Sequence, residues 1–148
     1  MMATHHEQAV TMALIMYQRS TDENIRPLAL DIVLTQQNQI GQMQGWLASW
    51  NQPIARDPAD HQQMTMMPGM ANQQQVNALQ TLLLTEAEVS FLRLTIGHHQ
   101  GGVVMAQEVL CQTKRPEVVG LATAIIQCQQ SEIQAMRDLL HQRGVDLP

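Results

Sequence analysis

The chain has 148 residues, enough for a single domain (1–148) with a buried core, and its 13 acidic against 8 basic side chains leave a net charge of −5. A negative balance without a basic cluster or an aromatic platform excludes a nucleic-acid binder. No apolar run reaches the roughly 18 to 20 residues of a membrane span, and no charged-then-apolar signal segment opens the chain. One Phe and one Tyr beside 11 Met suit helices filled by aliphatic and thioether side chains.

Residues 1 to about 19 carry apolar or histidine positions at 2, 5, 6, 9, 12, 13 and 16, a stripe of helical period. A turn is expected at Ser20-Thr21-Asp22, with Thr21 or Asp22 capping a second helix. That helix buries Ile25, Leu28, Ala29, Ile32, Gln36, Ile40, Met43 and Leu47 and runs to about Trp50, with Pro27 tolerated near its start. A polar, turn-rich linker from Asn51 to Ala71 precedes a short helix from about Asn72 to Leu84. Thr85 and Glu88 read as the capping box of a helix from about 86 to 112. Pro116 then opens a last helix, with Val118, Leu121, Ala122, Ile125, Ile133, Met136 and Leu140 inside and Gly144 at its end. Cys111 and Cys128 fall roughly 15 Å apart along this second hairpin, which predicts two free, mostly buried thiols.

The first and last parts are copies. At an offset of 93 residues His5-His6 falls on His98-His99, Met12-Ala13 on Met105-Ala106, Leu28-Ala29 on Leu121-Ala122, Gln36-Gln37 on Gln129-Gln130 and Met43 on Met136. Thirteen of the 55 overlapping positions are identical. Repeat one spans 1–50, the linker and short helix 51–84, and repeat two 85–148. The predicted fold is all-α: two helical hairpins joined by a long Met-rich crossover with a short extra helix, together a four-helix bundle. The first histidine pair stands near Met1, whereas its copy has about a dozen residues of helix before it, so the chain is expected to begin late and its lack of a signal segment says little about compartment.

Hairpin register turns these copies into a candidate site. Counting outward from each turn sets His98 and His99 level with Gln129 to Met136, and His5 and His6 level with Gln36 to Met43. Each half then offers two imidazoles, Gln39 or Glu132, and the thioether of Met43 or Met136, with Met2 one turn before His5 and His6. Imidazole with thioether is a ligand set suited to copper, especially Cu(I). The linker adds His61, Met64, Met66, Met67 and Met70, flexible ligands for a soft cation or a covering for the bundle. No Glu-x-x-His of a di-iron centre and no HExxH of a zinc hydrolase is present, and no enzyme is expected. The competing reading is a structural or interaction bundle with the histidines packed in the core, whose Met-rich surface and Trp46/Trp50 bind a partner or a second copy, as a homodimer.

Met2 to Ala13 fit the pattern MxxHHxxAxxMA, which resembles the signature of the family called domain of unknown function 305. Met67-Pro68-Gly69-Met70, Glu88-Val89-Ser90-Phe91-Leu92, the His98-His99 pair and the segment from Ser131 to Met136 also resemble that family's motifs, in the same order and over nearly the whole chain. The resemblance implies a ferritin-like four-helix bundle, often exported to the periplasm or cell exterior, with some members, the CopM-like proteins, binding copper. Thr95 stands where the family usually has Met, Gly101-Gly102 loosens the helix after the second pair, Gln39 replaces Glu, and the usual FDxxFL lead-in is missing. One of the two sites is therefore expected to be degenerate.

Overall fold

The computed structural model describes residues 1–54 and 67–145. His61, Met64 and Met66 lie outside the described residues. Within them the chain forms five helices and no strand: α1 Met2–Arg19, α2 Ile25–Ser49, α3 Gln73–Thr81, α4 Leu84–Gln112 and α5 Pro116–Gln142. The long helices pack α1 on α2, α4 on α5 and α1 on α4, while α3 lies against α4 and α1.

The expected faces are largely the buried ones, with Met2, Leu28, Met43, Leu47, Val118 and Leu121 at their edges only half-buried. On α1 these are Thr4, His5, His6, Ala9, Met12, Ala13 and Met16, and on α5 Ala122, Ile125, Gln129, Ile133, Met136, Leu139 and Leu140. Asp22 starts α2 from just outside it, its Oδ1 accepting the backbone N–H of Asn24 and of Ile25 at 2.8 and 3.0 Å. Pro27 costs nothing there, because a first-turn N–H has no helical partner to lose. Pro116 opens α5, and Gly144, at φ +66, follows its end in the left-handed conformation that glycine adopts freely.

Two local readings are corrected. Thr85 and Glu88 form no capping box: α4 begins at Leu84 without a side-chain cap, and the Glu88 carboxylate instead accepts a buried 2.6 Å hydrogen bond from the Ser20 hydroxyl at the end of α1. A bond that ties two helices has taken the group that a cap would need. The capping box belongs to α3, where Asn72 and Gln75 bond reciprocally. The cysteines are free, as expected, but not mostly buried: Cys111 is exposed and Cys128 half-buried.

Side chains pin the end of the molecule that holds the α1–α2 turn. Arg143, just past α5, pairs with Asp22 at 2.5 Å, and Arg19 donates to the carbonyls of Leu79 and Leu82 at the end of α3. Beneath them Met12, Met16, Ile25, Leu79, Phe91, Leu92, Met136 and Leu140 make the main apolar cluster. A smaller cluster of Ala106, Ala122 and Ile125 fills the opposite end, with Met2 and Val109 against it.

The segment from Met67 to Ala71 is a strap laid across α1 and α4. Gln8 grips the Ala71 backbone twice, accepting its N–H and donating to its carbonyl, each at 2.8 Å. Gly69 turns at φ +76, and a Cβ there would overlap the Gly97 carbonyl; a Cβ on Gly101 would overlap the carbonyl of Pro68. Gly101 and Gly102 therefore do not loosen α4, which runs through them unbroken. They create the space into which the strap, and the Gln129 side chain, fit. Met67, on this strap, is buried rather than free in a loop.

Replacing Gly101 by Ala should consequently destabilise the fold by about 1–3 kcal/mol through overpacking. Gly41→Ala, on the exposed face of α2 with no neighbour in reach, should stabilise it by about 0.5–1 kcal/mol. Urea unfolding followed by circular dichroism would read both, and opposite signs are the expected outcome.

Candidate functional site

Between the two apolar clusters the four long helices carry a level of polar side chains. On α1 it lies between Met2 and Ala9, on α4 between Ile96 and Ala106, and on α5 between Ile125 and Ile133. It holds His5, His6, His98 and His99, none of them measurably exposed, with Gln36, Gln39 and Gln129 also buried. The register counted from the turns holds in both hairpins. His6 Nε2 meets Gln39 Oε1 at 2.8 Å, and His99 Nε2 meets Glu132 Oε2 at 2.7 Å.

The two pairs do not stay in separate halves. Packing of α1 on α4 stacks the His5 ring on the His98 ring, centroids 3.8 Å apart at 29°. His98 Nε2 lies 2.8 Å from the main-chain carbonyl of His5, and His5 Nε2 lies 2.9 Å from the Pro68 carbonyl of the strap. One cluster of four imidazoles results.

The partners decide the tautomers. A main-chain carbonyl, an amide oxygen or a carboxylate oxygen only accepts, so each ring must carry its proton on Nε2 and donate it. Burial holds the rings of His5 and His6 neutral, lowering each from 6.5 to about 4 against the hydrogen bonds to Pro68 and Gln39, which act the other way. Burial, with the charges of His5 and His99, also keeps His98 well below its ordinary value. A neutral ring with its proton on Nε2 has a bare lone pair on Nδ1. All four Nδ1 atoms are buried without a hydrogen-bond partner, as are both amide atoms of Gln36 and of Gln129 and the Thr95 hydroxyl.

The other predicted residues fall nearby but not all together. Met2 and Met43, one turn from His6 and Gln39, line a cavity of about 240 Å³ with Trp46, Trp50, Val109 and Ile125. Met136 is fully buried in the main apolar cluster, and Met70 lies on the strap. Among the described residues no three His, Cys, Asp or Glu side chains converge tightly enough to hold one ion. Register counting missed Pro68, because nothing in sequence shows that a linker carbonyl returns to His5. It also left Gln36 and Gln129 out of the site, although their identity across the 93-residue offset was a usable signal.

The buried neutral rings make stability depend on acid. In the unfolded chain the imidazoles take protons at about 6.5, in the fold only near 4 for His5 and His6, so between these values the unfolded state binds more protons. Stability present above pH 6.5 should therefore drain away as pH falls towards 4, by up to a few kcal/mol for each ring. Thermal melts across this window should show Tm falling with pH, and substituting Asn for His5 and His6 should flatten the slope.

Three solved structures are similar to the chain throughout. A candidate secreted DUF305 protein from Streptomyces coelicolor is 42% identical, with 98% of this chain and 89% of that one covered, at a TM-score of 0.88. A DUF305 fragment from Deinococcus radiodurans is also 42% identical, with coverage of 95% and 91%, at 0.86. CopM in its Cu(I)-bound form is 29% identical, with coverage of 96% and 91%, at 0.80, and it also has Cu(II)-bound and Ag-bound forms. No curated relative matches the sequence. The family model for the domain of unknown function DUF305 matches residues 1–140, and the chain belongs to that family.

Proposed function

We propose that the chain is a non-enzymatic copper-binding protein, a ferritin-like four-helix bundle of two repeated hairpins, acting as a carrier, buffer or resistance factor in the periplasm or outside the cell. The observation that carries this reading is the set of four buried Nδ1 atoms without hydrogen-bond partners. Leaving a buried polar atom unsatisfied costs about 1–3 kcal/mol, so four in one cluster point to something that binds there. Each ring also has its Nε2–H anchored on a carbonyl, amide or carboxylate oxygen, the outer arrangement that orients metal-ligating histidines. His5, His6, His98 and His99 would hold the ion, Gln39 and Glu132 would orient rings, and the thioethers of Met2 and Met43 favour the Cu(I) state. A relative with Cu(I)-, Cu(II)- and Ag-bound forms supports the same choice of metal. Since no three His, Cys, Asp or Glu side chains converge among the described residues, the reading favours a cation content with two donors at a time, Cu(I) before Cu(II).

The stacking of His5 on His98 favours a second reading, in which the rings are packing elements of a bundle that binds a protein partner or a second copy. Titration with Cu(I), delivered as its bicinchoninate complex, separates the two. The full chain should withdraw copper from the complex. A variant with Ala at His5, His6, His98 and His99 should not, and the single changes His6→Ala and His99→Ala should each weaken uptake at least tenfold should the fourfold variant unfold. Equal binding by all forms would overturn the imidazole site. Loss only on changing Met64, Met66, Met67 and Met70 would move the site to the linker. A dimer seen by light scattering and indifferent to chelator would favour the packing reading.

A further inference from the structure

The two histidine pairs meet at the stack of His5 on His98, and each pair has the same internal spacing. Ring centroids stand 6.4 Å apart between His5 and His6 and 6.2 Å apart between His98 and His99, at 54° and 57°. Two imidazoles that share one small ion in line, each through a single nitrogen at about 2 Å, have centroids about 6 Å apart. Both pairs have that spacing, and every ring in them keeps a buried Nδ1 without a partner. Across the stack the centroids are only 3.8 Å apart, too close for an ion between them. The cluster is thus two neighbouring pairs and not one fourfold cage.

What distinguishes the pairs is the charge behind them. His99 Nε2 donates at 2.7 Å to Glu132, a carboxylate whose side chain is only 12% exposed. His6 Nε2 donates at 2.8 Å to Gln39, a buried and neutral amide. The two acceptors hold the same place in the two copies, 93 residues apart. Glu88, a further buried carboxylate, stands ten residues before His98 on α4, about 15 Å along the axis, and is engaged by Ser20. A monovalent cation held by His98 and His99 therefore makes a neutral set with Glu132. The same cation held by His5 and His6 leaves a charge without a counter-charge away from water, which is costly.

Resting on the copper reading above, we propose that the two pairs take up a soft monovalent cation such as Cu(I) or Ag(I) in order, His98 and His99 first, His5 and His6 second, and that Glu132, acting as counter-charge and not as ligand, sets the order. The first uptake also opposes the second. A charge on one pair faces the other pair across the 3.8 Å stack, in a dry core where like charges repel far more than in water. The rings already oppose one another in taking protons. Burial acts first on His5 and His6, the bonds to Pro68 and Gln39 act against it, and the charges of neighbouring rings, His99 among them, lower both further. One ion is then held tightly and one loosely enough to pass on, as a carrier requires.

The test is a titration of the full chain with Ag(I), followed by the nitrogen NMR signals of the imidazole rings, because coordination moves the Nδ1 signal of the ring that binds. Up to one Ag(I) per chain, the Nδ1 signals of His98 and His99 should move. Those of His5 and His6 should follow only with the second equivalent, in a step at least tenfold weaker. Glu132→Gln removes the charge but still offers His99 an oxygen acceptor, as Gln39 does for His6, so the fold is kept. This variant should weaken the first step at least tenfold and bring the two steps together, whereas Gln39→Glu should strengthen the second step by a similar factor. Movement of all four signals together in the unsubstituted chain, earlier movement of His5 and His6, or an undiminished first step in Glu132→Gln would each overturn the order. A chain in which no Nδ1 signal moves with either Ag(I) or Cu(I) would instead overturn the copper reading itself.

Discussion

Everything near the centre of this protein follows from placing four imidazoles where water cannot reach them. A buried imidazole must be neutral or paired, and it must satisfy its N–H. Here each ring gives its Nε2–H to an acceptor that a neighbouring element holds in place: a strap carbonyl, a helix carbonyl, an amide and a carboxylate. This fixes ring orientation, couples α1 to α2, α4 to α5 and α1 to α4 at one level, and leaves the second nitrogen of every ring uncommitted. The flanking apolar clusters keep that level dry from both sides, so the polar centre and the hydrophobic ends depend on one another.

The strap is the second constraint, and it depends on small residues rather than on charge. Its backbone comes close enough to α4 that Gly69 and Gly101 have no room for a side chain. That close approach delivers the Pro68 carbonyl to His5, and Gln8 locks the following residue. A methionine-containing motif thus contributes a main-chain oxygen to the site, and Met67 serves as packing.

Much of this was legible in the sequence, for definite reasons. Helical period exposed most of the buried faces, and counting residues from each turn set each histidine pair level with the segment that holds Gln39 or Glu132, because a hairpin's register depends only on its turn and the rise per residue. The merger of the two pairs was not legible, since the stack of His5 on His98 depends on how α1 lies on α4, and no short connection sets that register. Glu88 misled for a related reason: its spacing from Thr85 suits a cap, but its carboxylate is drawn to Ser20 across a helix interface. Gly101 and Gly102 were read as weak points because a sequence shows missing side chains without showing what occupies the space.

The bond from His98 Nε2 to the carbonyl of His5 makes the two histidine pairs unequal under mutation. Because the acceptor belongs to the main chain, any residue at position 5 still offers it, and His98 keeps its anchor when the side chain there changes. The reverse does not hold: His5 relies on the strap, and the strap relies on the glycines of α4. A change of side chain at position 5 thus leaves the anchor of His98 in place, whereas a change in the strap or in the glycines beneath it removes the anchor of His5.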